Sequence, residues 1–419
     1  MMGKINIKTL GCRLNTYESE ALRIMSESEG LDDTTIINSC AVTSEAVKKA
    51  KKTVRKARRA NPNNLIVVTG CAAQTEPKTF ANMEEVDLVV GNKEKLSPTT
   101  WRNLKNRAMA DQFSKIRVGD IMKVSKVDPL KISKLADRSR AYVQIQNGCD
   151  HRCTFCIIPF GRGNSRSVTA ESIISQIRRF VNNGFNEVVL TGVDITSWGN
   201  DLFSKPKLGS LVKCILNKVP NLPRLRLSSI DSIEVDSELI DIILHEQRLM
   251  PHLHLSLQSG DNLILKRMKR RHNRETAIKF CNNILSSRPE VTFGGDIIAG
   301  FPTETEYMFE NSLRLVTECH LTWLHVFPFS ARQGTPAAKM PKVSDDKIKS
   351  RAKRLRELGN MQIKKHLDCN VGKMQSILVE GKGKGRTESF AEVLLDCHLK
   401  PGTIAKLIVK SHNGTQLIS

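Results

Sequence analysis

No part of the 419-residue sequence gathers the ~20 consecutive apolar residues that cross a bilayer, which excludes a helical membrane protein. The opening, MMGKINIKTLGC, has none of the long apolar stretch of a secretory leader, so a cytoplasmic protein is expected. Acidic residues are few beside basic ones, 43 against 65, and the formal net charge is +22. An excess of that size points to a polyanionic partner, nucleic acid first, over a merely solvated basic surface. With no obvious amphipathic anchor, acidic membranes rank behind nucleic acid. An even cysteine framework is also missing. Eleven cysteines in a chain expected to meet a reducing compartment argue against disulfides and for metal or redox chemistry. A hydrophobic fraction of 40% excludes wholesale disorder and leaves room for two or three domains.

Residues 3–90 alternate short β-rich runs (KINIKTL, TTIIN, LIVVT, DLVV) with helix-like segments such as YESEALRIMSESEG and TSEAVKKAKKTVRKARRA. Such alternation predicts a parallel sheet with helices on its faces. A polar, Lys-rich stretch follows. A second alternation starts at AYVQIQNG and continues through NEVVLTG, RLRLSSI, HLHLSLQ, VTFGGDIIAG and WLHVFPF. Six strands in β/α order suit a partial, TIM-like β/α barrel better than a closed eightfold one. After the basic helical stretch DDKIKSRAKRLRELGNMQIKKHL, the runs MQSILVEG, FAEVLLD and TIAKLIVK suggest a small β-barrel. The expected divisions are an N-terminal domain over 1–105, a linker over 106–134, the barrel core over 135–366 and the small barrel over 367–419.

The strongest local signal is NGCDHRCTFCIIPFGRG, which spaces Cys149, Cys153 and Cys156 as C-x3-C-x2-C. Three thiolates on a Gly-bounded loop suit three irons of a [4Fe–4S] cluster. Zinc usually takes four ligands, and no nearby Cys or suitably spaced His completes that set, with His151 inside the loop as the local rival. Spacing alone leaves cluster, zinc and no metal open. A three-ligand cluster keeps one iron open for a small-molecule cofactor. Cys12, Cys40 and Cys71 each follow one of the first three strands, as KTLGC, IINSC and VVTGC. In an open parallel sheet the strands' carboxyl ends share one edge, so these three converge. They are either a second cluster site or three small buried hydrophobes. Cys214, Cys281, Cys319, Cys369 and Cys397 lack partner spacing and are assigned to packing.

The three-cysteine loop, with aromatic Phe155 before its last Cys, resembles the signature of the radical S-adenosylmethionine superfamily. With the N-terminal cysteines, nearly the whole chain resembles the methylthiotransferase family of that superfamily. The resemblance implies an α/β fold with a parallel-sheet N-terminal domain, a radical S-adenosylmethionine barrel and a TRAM-like C-terminal barrel. It also implies two [4Fe–4S] clusters, one on Cys149, Cys153 and Cys156 and an auxiliary one on Cys12, Cys40 and Cys71. Two S-adenosylmethionine molecules are then consumed, one as radical source and one as methyl donor. TLGCRLNTYESEA looks most like the branch acting on N6-threonylcarbamoyladenosine beside the anticodon of tRNA. Arg13, Leu14 and Asn15 fit that opening better than those of the isopentenyladenosine or ribosomal-protein branches.

Cofactor contacts carried over from the resemblance are Phe155, Thr191 and Gly192 of LTGVD, Ser256 and Gln258, and Ile298 and Gly300 of DIIAGFPTE, with Glu304 closing that motif. Val193 stands where the superfamily has an acid. Each polar residue has strand-end hydrogen bonding as its plainer role, and a metal role for His252 and His254 is disfavoured. Candidate phosphate contacts are the runs 47–59, with eight basic residues and no acid, and 266–274, with six. A solvated helix face is the alternative for both. GKGKGR at 381–386 is a third candidate. The implied partners are the anticodon stem-loop of tRNA and an electron donor such as a flavodoxin or ferredoxin, while the sulfur source stays open. The rival readings are a ribosomal-protein substrate, an isopentenyladenosine substrate, and a non-enzymatic RNA-binding protein with structural metal.

Overall fold

The computed structural model describes residues 5–105, 114–127, 130, 132, 138–396 and 398–419. The chain divides into two compact units, each built from separate stretches. The first is Met1–Ala136 with Gln146–Val168 and Ser330–Ala338; the second is Asp137–Ile145 with Thr169–Phe329 and Lys339–Ser419.

The first unit is organised on strands β1 (Asn6–Thr9), β2 (Thr34–Ser39), β3 (Leu65–Gly70), β4 (Leu88–Val90) and β5 (Ile116–Arg117), paired in that order. All four pairings are parallel. Neighbouring residues of a strand point to opposite faces, and both faces are covered. Ile37 and Val68 join Val47, Ala50, Val54 and Ala57 of the helix Ser44–Ala60 in one core. Ile36 and Val67 join Leu22, Trp101 and Leu104 in the other. Thr43 caps the helix Ser44–Ala60 by accepting the Ala46 N–H, and the buried positions recur at i, i+3, i+7 and i+10. Part of the expected linker carries secondary structure. Ile116 pairs with Val89 as the fifth strand, and Ile121–Lys123 forms a 3-10 turn. A two-residue strand carries too little periodicity to be seen in sequence.

The remaining strands of this unit, β7 (Gln146–Asn147) and β8 (Arg166–Ser167), form an antiparallel ribbon with Gln146 opposite Ser167. It pins both ends of the excursion that carries Cys149, Cys153 and Cys156.

In the second unit all six expected β/α strands are present. They are β6 (Ala141–Gln144), β9 (Glu187–Thr191), β10 (Arg224–Leu227), which runs on into β11 (Ser229–Ile230), β12 (His252–Gln258), β13 (Thr292–Ala299) and β14 (Leu321–Pro328). They form parallel sheets in the orders β10-β9-β6 and β11-β12-β13-β14, with helices such as Ala170–Asn182, Leu208–Lys218 and Arg274–Ser287 between them. Glu187 begins β9 fully buried. Burial would raise its pKa, but Arg226, Arg140 and Arg224 around it hold it at about 2.

The last strands are β15 (Met374–Gly381), β16 (Lys384–Thr387), β17 (Glu392–Leu394), β18 (Ile404–Ile408), β19 (Ser411–His412) and β20 (Leu417–Ile418). They make one sheet in the order β18-β15-β16-β17-β20-β19 over a core of Leu367, Ile377, Ala391, Val393, Val409 and Leu417. Its edge strands β18 and β19 are separated in the chain only by Val409 and Lys410, so the sheet curls on itself. Among the described residues no helix is long and apolar enough to cross a membrane.

Candidate functional site

Cys12, Cys40 and Cys71 sit just beyond the carboxyl ends of β1, β2 and β3, on one edge of a parallel sheet. Cys12 is exposed, Cys40 half-buried and Cys71 buried, and none is in a disulfide. Burial, with Cys71 and Cys12 as charged neighbours, pushes the Cys40 thiol up to about 11. Glycine is required before two of them. Gly11 has φ +101°, and a Cβ there would stand 3.1 Å from Cys40 Sγ; Gly70 has φ +93°, and its Cβ would stand 2.3 Å from the Ser39 carbonyl oxygen. Asn15 ties the strand ends together, donating to the carbonyls of Leu10 at 2.6 Å and Ser39 at 3.2 Å.

Cys149, Cys153 and Cys156 are half-buried on the excursion closed by β7 and β8. The loop is fixed by its own backbone. The Cys149 N–H donates to the Gly163 carbonyl at 3.0 Å and the Cys156 N–H to the Cys153 carbonyl at 3.1 Å. Arg152 donates to the Cys149 carbonyl and to Asn164 Oδ1, both at 2.8 Å, and the Ser165 N–H reaches Asp150 Oδ1 at 2.9 Å. Gly148 has φ +76°, and a Cβ would stand 1.9 Å from the Asn164 carbonyl oxygen, so only glycine passes there. Phe155 and His151 are half-buried on the same loop.

Both cysteine groups belong to the first compact unit. They are joined by residues that sequence reasoning missed. Arg162, at the end of the helix Ile158–Arg162, donates from Nε to Cys71 Sγ at 3.2 Å. Its Nη1 reaches Glu18 Oε1 at 2.7 Å, and Lys95 Nζ reaches Glu18 Oε2 at 2.7 Å. Burial would raise the Glu18 pKa, but Arg162 and Lys95 hold it at about 2. Asn92 Nδ2 donates to the Gly161 carbonyl at 2.5 Å and faces Cys71 Sγ at 3.9 Å. No signal in the helical run YESEALRIMSES marks Glu18, which is buried in the fold, as the acid that these cations share.

In the second unit, Thr191 is buried at the end of β9, and its carbonyl accepts the Ile145 N–H at 2.9 Å. Gly192 and Val193 follow it half-buried. Ser256 and Gln258 end β12, with Gln258 at φ +71°; Ile298 lies near the end of β13, and Gly300 follows at φ +75°. A Cβ on Gly300 would stand 2.5 Å from Ile348 Cγ1. Glu304 is buried; Oε2 accepts the Gly300 N–H and pairs with Arg351, each at 2.9 Å. The disfavoured histidine gains unforeseen company: His254 Nε2 lies 2.8 Å and His325 Nδ1 3.2 Å from Asp296 Oδ1. His252 stacks on Phe390 instead, with ring centroids 4.9 Å apart.

The two long basic runs divide. On the helix Ser44–Ala60, Lys48, Lys49, Lys52, Arg55, Lys56 and Arg59 are exposed opposite the buried stripe, while Arg58 is spent on Asp87 at 2.6 Å. In the run 266–274 most arginines are consumed internally. Arg270 pairs with Asp231 at 2.8 Å, Arg271 pairs with Glu234, and Arg274 pairs with Glu318. That second run is therefore not a free cationic strip; Lys266 and Lys269 are its exposed lysines. Cys281 and Cys319 are buried as expected and Cys214 is half-buried, but Cys369 is exposed at the end of the helix Asp345–Asp368, so packing does not explain it. Cys397 lies outside the described residues.

Residues 143–316 match the Radical SAM superfamily, and residues 4–91 match the uncharacterized protein family UPF0004. The chain is 50% identical to the threonylcarbamoyladenosine tRNA methylthiotransferase MtaB of Rickettsia prowazekii, covering 96% of this chain and 93% of that one. It is 34% identical to the MtaB of Bacillus subtilis, covering 90% and 85%. A tRNA-2-methylthio-N(6)-dimethylallyladenosine synthase of Staphylococcus haemolyticus is 33% identical, covering 90% and 75%. Among solved structures, the radical S-adenosylmethionine methyltransferase TsrM of Kitasatospora setae, with cobalamin and a [4Fe–4S] cluster bound, superposes at a TM-score of 0.58 and 14% identity, covering 80% of this chain and 77% of that one. At that identity the likeness concerns the fold. The chain is an enzyme whose cofactors are [4Fe–4S] clusters and S-adenosylmethionine, and it belongs to the radical S-adenosylmethionine methylthiotransferase family, with the MtaB proteins as its relatives.

Proposed function

We propose that this chain converts N6-threonylcarbamoyladenosine beside the anticodon of tRNA to its 2-methylthio derivative. The observation that carries the reading is the placement of two three-cysteine groups in one compact unit, joined through Gly161 and Arg162. The donor sets fit iron–sulfur clusters: each offers three thiols outside any disulfide, on backbone fixed by glycines and hydrogen bonds. In this reading Cys149, Cys153 and Cys156 hold the cluster that meets S-adenosylmethionine, and Cys12, Cys40 and Cys71 hold the auxiliary one. A bound cluster with an open iron supplies the electron that cleaves one S-adenosylmethionine to a hydrogen-abstracting radical, while a second S-adenosylmethionine supplies the methyl.

The chain's own residues bind and orient. Thr191, Gly192, Ser256, Gln258, Ile298 and Gly300, at strand ends of the β/α array, are assigned to S-adenosylmethionine, and Phe155 to the same cofactor from the loop. The Gly300 turn is held by Glu304, which gives the backbone there one conformation. The exposed cations of the helix Ser44–Ala60 are assigned to tRNA phosphates, and the curled C-terminal sheet is read as a TRAM-like barrel holding the tRNA body. The reading keeps an N-terminal domain (1–105), a connecting segment (106–134), a radical core (135–366) and the barrel (367–419). It places the enzyme in the cytoplasm with a flavodoxin or ferredoxin as electron donor. The higher identity to the MtaB relative than to the dimethylallyladenosine synthase supports the threonylcarbamoyl substrate.

Mass spectrometry of tRNA nucleosides from cells with and without the gene tests this. The 2-methylthio-threonylcarbamoyl nucleoside disappears in the deletion and its precursor accumulates. Loss of the isopentenyl counterpart instead, or no change, overturns the reading.

A further inference from the structure

Arg162 follows Cys156 by six residues, yet its side chain is turned to the other cysteine group. A guanidinium has five N–H donors, and all five are spent here. Nε donates to Cys71 Sγ at 3.2 Å. Nη1 donates to Glu18 Oε1 at 2.7 Å and Asn147 Oδ1 at 3.2 Å. Nη2 donates to Asn15 Oδ1 at 2.5 Å and Glu18 Oε2 at 3.0 Å. The side chain is 2% exposed and Glu18 1%, so the fork is enclosed. Four bonds lock the plane of the guanidinium, and the fifth donor is thereby aimed at sulfur.

The charge balance favours an anion at that sulfur. Lys95, fully buried, also reaches Glu18 at 2.7 Å and holds Asn38 Oδ1 at 3.4 Å. Two cationic side chains face one carboxylate, so one formal positive charge is left over inside the protein. Of the acceptors touching Arg162 besides Glu18, the two Asn oxygens are neutral, and the sulfur of Cys71 is the one that can carry negative charge. Gly161 lets the backbone close on Cys71, since a Cβ there would stand 3.3 Å from the Cys71 Cβ, and Asn92 Nδ2 faces the same sulfur at 3.9 Å.

We propose that Arg162 is a positioning residue for a cluster on Cys12, Cys40 and Cys71, fixing the Cys71 thiolate and raising that cluster's reduction potential through its buried N–H···S bond. This rests on the assignment of those three cysteines as ligands. Hydrogen bonds to cluster sulfurs and net charge around a cluster are the protein's means of setting its potential. Reduction adds negative charge to the sulfurs, so a nearby cationic donor stabilises the reduced form more than the oxidised form. Water screens little of this at a buried site. A lysine at 162 keeps the charge but has no planar fork to satisfy Glu18, Asn15 and Asn147 together.

The test uses the full-length chain carrying Cys149→Ala, Cys153→Ala and Cys156→Ala, so that only the second cysteine group can hold iron. After anaerobic reconstitution, the fraction of reduced cluster is read by electron paramagnetic resonance against applied potential, with Arg162→Gln and Arg162→Lys compared to the parent. The expected result is a midpoint lowered in the glutamine variant by at least tenfold in the reduced-to-oxidised ratio, about 59 mV for one electron, with the lysine variant between it and the parent. Loss of iron from the glutamine variant alone, with the lysine variant loaded and shifted, also supports the proposal. An unchanged midpoint in a loaded glutamine variant overturns it. So does loss of iron and of the folded circular-dichroism signal in both variants, since Arg162 is then only a structural tie. If the parent itself binds no iron, the ligand assignment fails, and the role of Arg162 falls with it.

Discussion

Arg351 Nη1 lies 2.9 Å from Glu304 Oε2, the same oxygen that accepts the Gly300 N–H. Burial nevertheless pushes the Glu304 carboxyl up to about 7, against the opposing pull of Arg351 and the Gly300 N–H, and its Oε1 has no partner among the described residues. A carboxyl raised on folding binds more protons in the native state between its unfolded value, ~4.3, and 7, so stability falls as pH rises through that window. Chemical denaturation at pH 5 and pH 7.5 measures it. Wild type loses on the order of 1–3 kcal/mol of stability from this group, and Glu304→Gln removes that part of the pH dependence. A pH dependence identical in the two proteins refutes the assignment.

Iron content addresses the loop Gly148–Gly163. Reconstituted wild type carries about eight irons if both clusters are four-iron. Joint replacement of Cys149, Cys153 and Cys156 by Ala halves the iron and abolishes 5′-deoxyadenosine formation under dithionite. Cleavage of S-adenosylmethionine surviving in that variant sinks the radical-site assignment.

The converse variant, with Cys12, Cys40 and Cys71 all replaced by Ala, separates the two chemistries. It still cleaves S-adenosylmethionine reductively but inserts no sulfur into tRNA. Chromatography for 5′-deoxyadenosine and mass spectrometry for the methylthio nucleoside read the two outputs from one reaction. Methylthio product from this variant removes the auxiliary role.

The helix Ser44–Ala60 presents its cations in register. Lys48, Lys52, Arg55 and Arg59 to Ser weakens tRNA binding and flattens the salt dependence of log Kd by up to about 3, as fewer counterions are released. Arg58 is excluded because it binds the Pro62 and Asn64 carbonyls and Asp87. Lys48 pairs with Glu45 at 2.8 Å and Arg55 faces Glu85 at 3.6 Å, so these two contribute less than Lys52 and Arg59. Filter binding at several salt concentrations decides; an unchanged slope returns this face to solvent.

Much of this was legible because it is written locally. Cys12, Cys40 and Cys71 announce themselves through Gly-Cys or strand-Cys junctions, and a parallel sheet puts equivalent strand ends on one edge whatever the connections between them. The six β/α strands are long enough to show their period. What stayed hidden was long-range pairing of ordinary residues. Arg162 and Glu18 are 144 positions apart, and Arg351 and Glu304 are 47 apart. Nothing in ESEALR or IKSRAK distinguishes such a residue from a solvated charge. The same blindness made the run 266–274 look like an open basic strip, although Asp231, Glu234 and Glu318 neutralise its arginines. Asp296 and His325 were overlooked because the three strands that bring them beside His254 are separated by whole helices.

The first compact unit is assembled from three stretches of chain, the last of which, Ser330–Ala338, lies about four-fifths of the way along. Thr154, between two cysteines of the loop, lends its carbonyl to the Ala337 N–H at 2.9 Å. A ribosome delivers the chain from the amino end, and domains generally fold as units as they emerge. Here the amino-terminal sheet can form early, but the cysteine loop gains its final support only after Ala337 has left the exit tunnel. The order of manufacture thus differs from the order of sequence: Cys12, Cys40 and Cys71 are on an edge ready first, and Cys149, Cys153 and Cys156 are braced last. A nascent chain stalled before residue 330 would present one finished cysteine group and one unbraced.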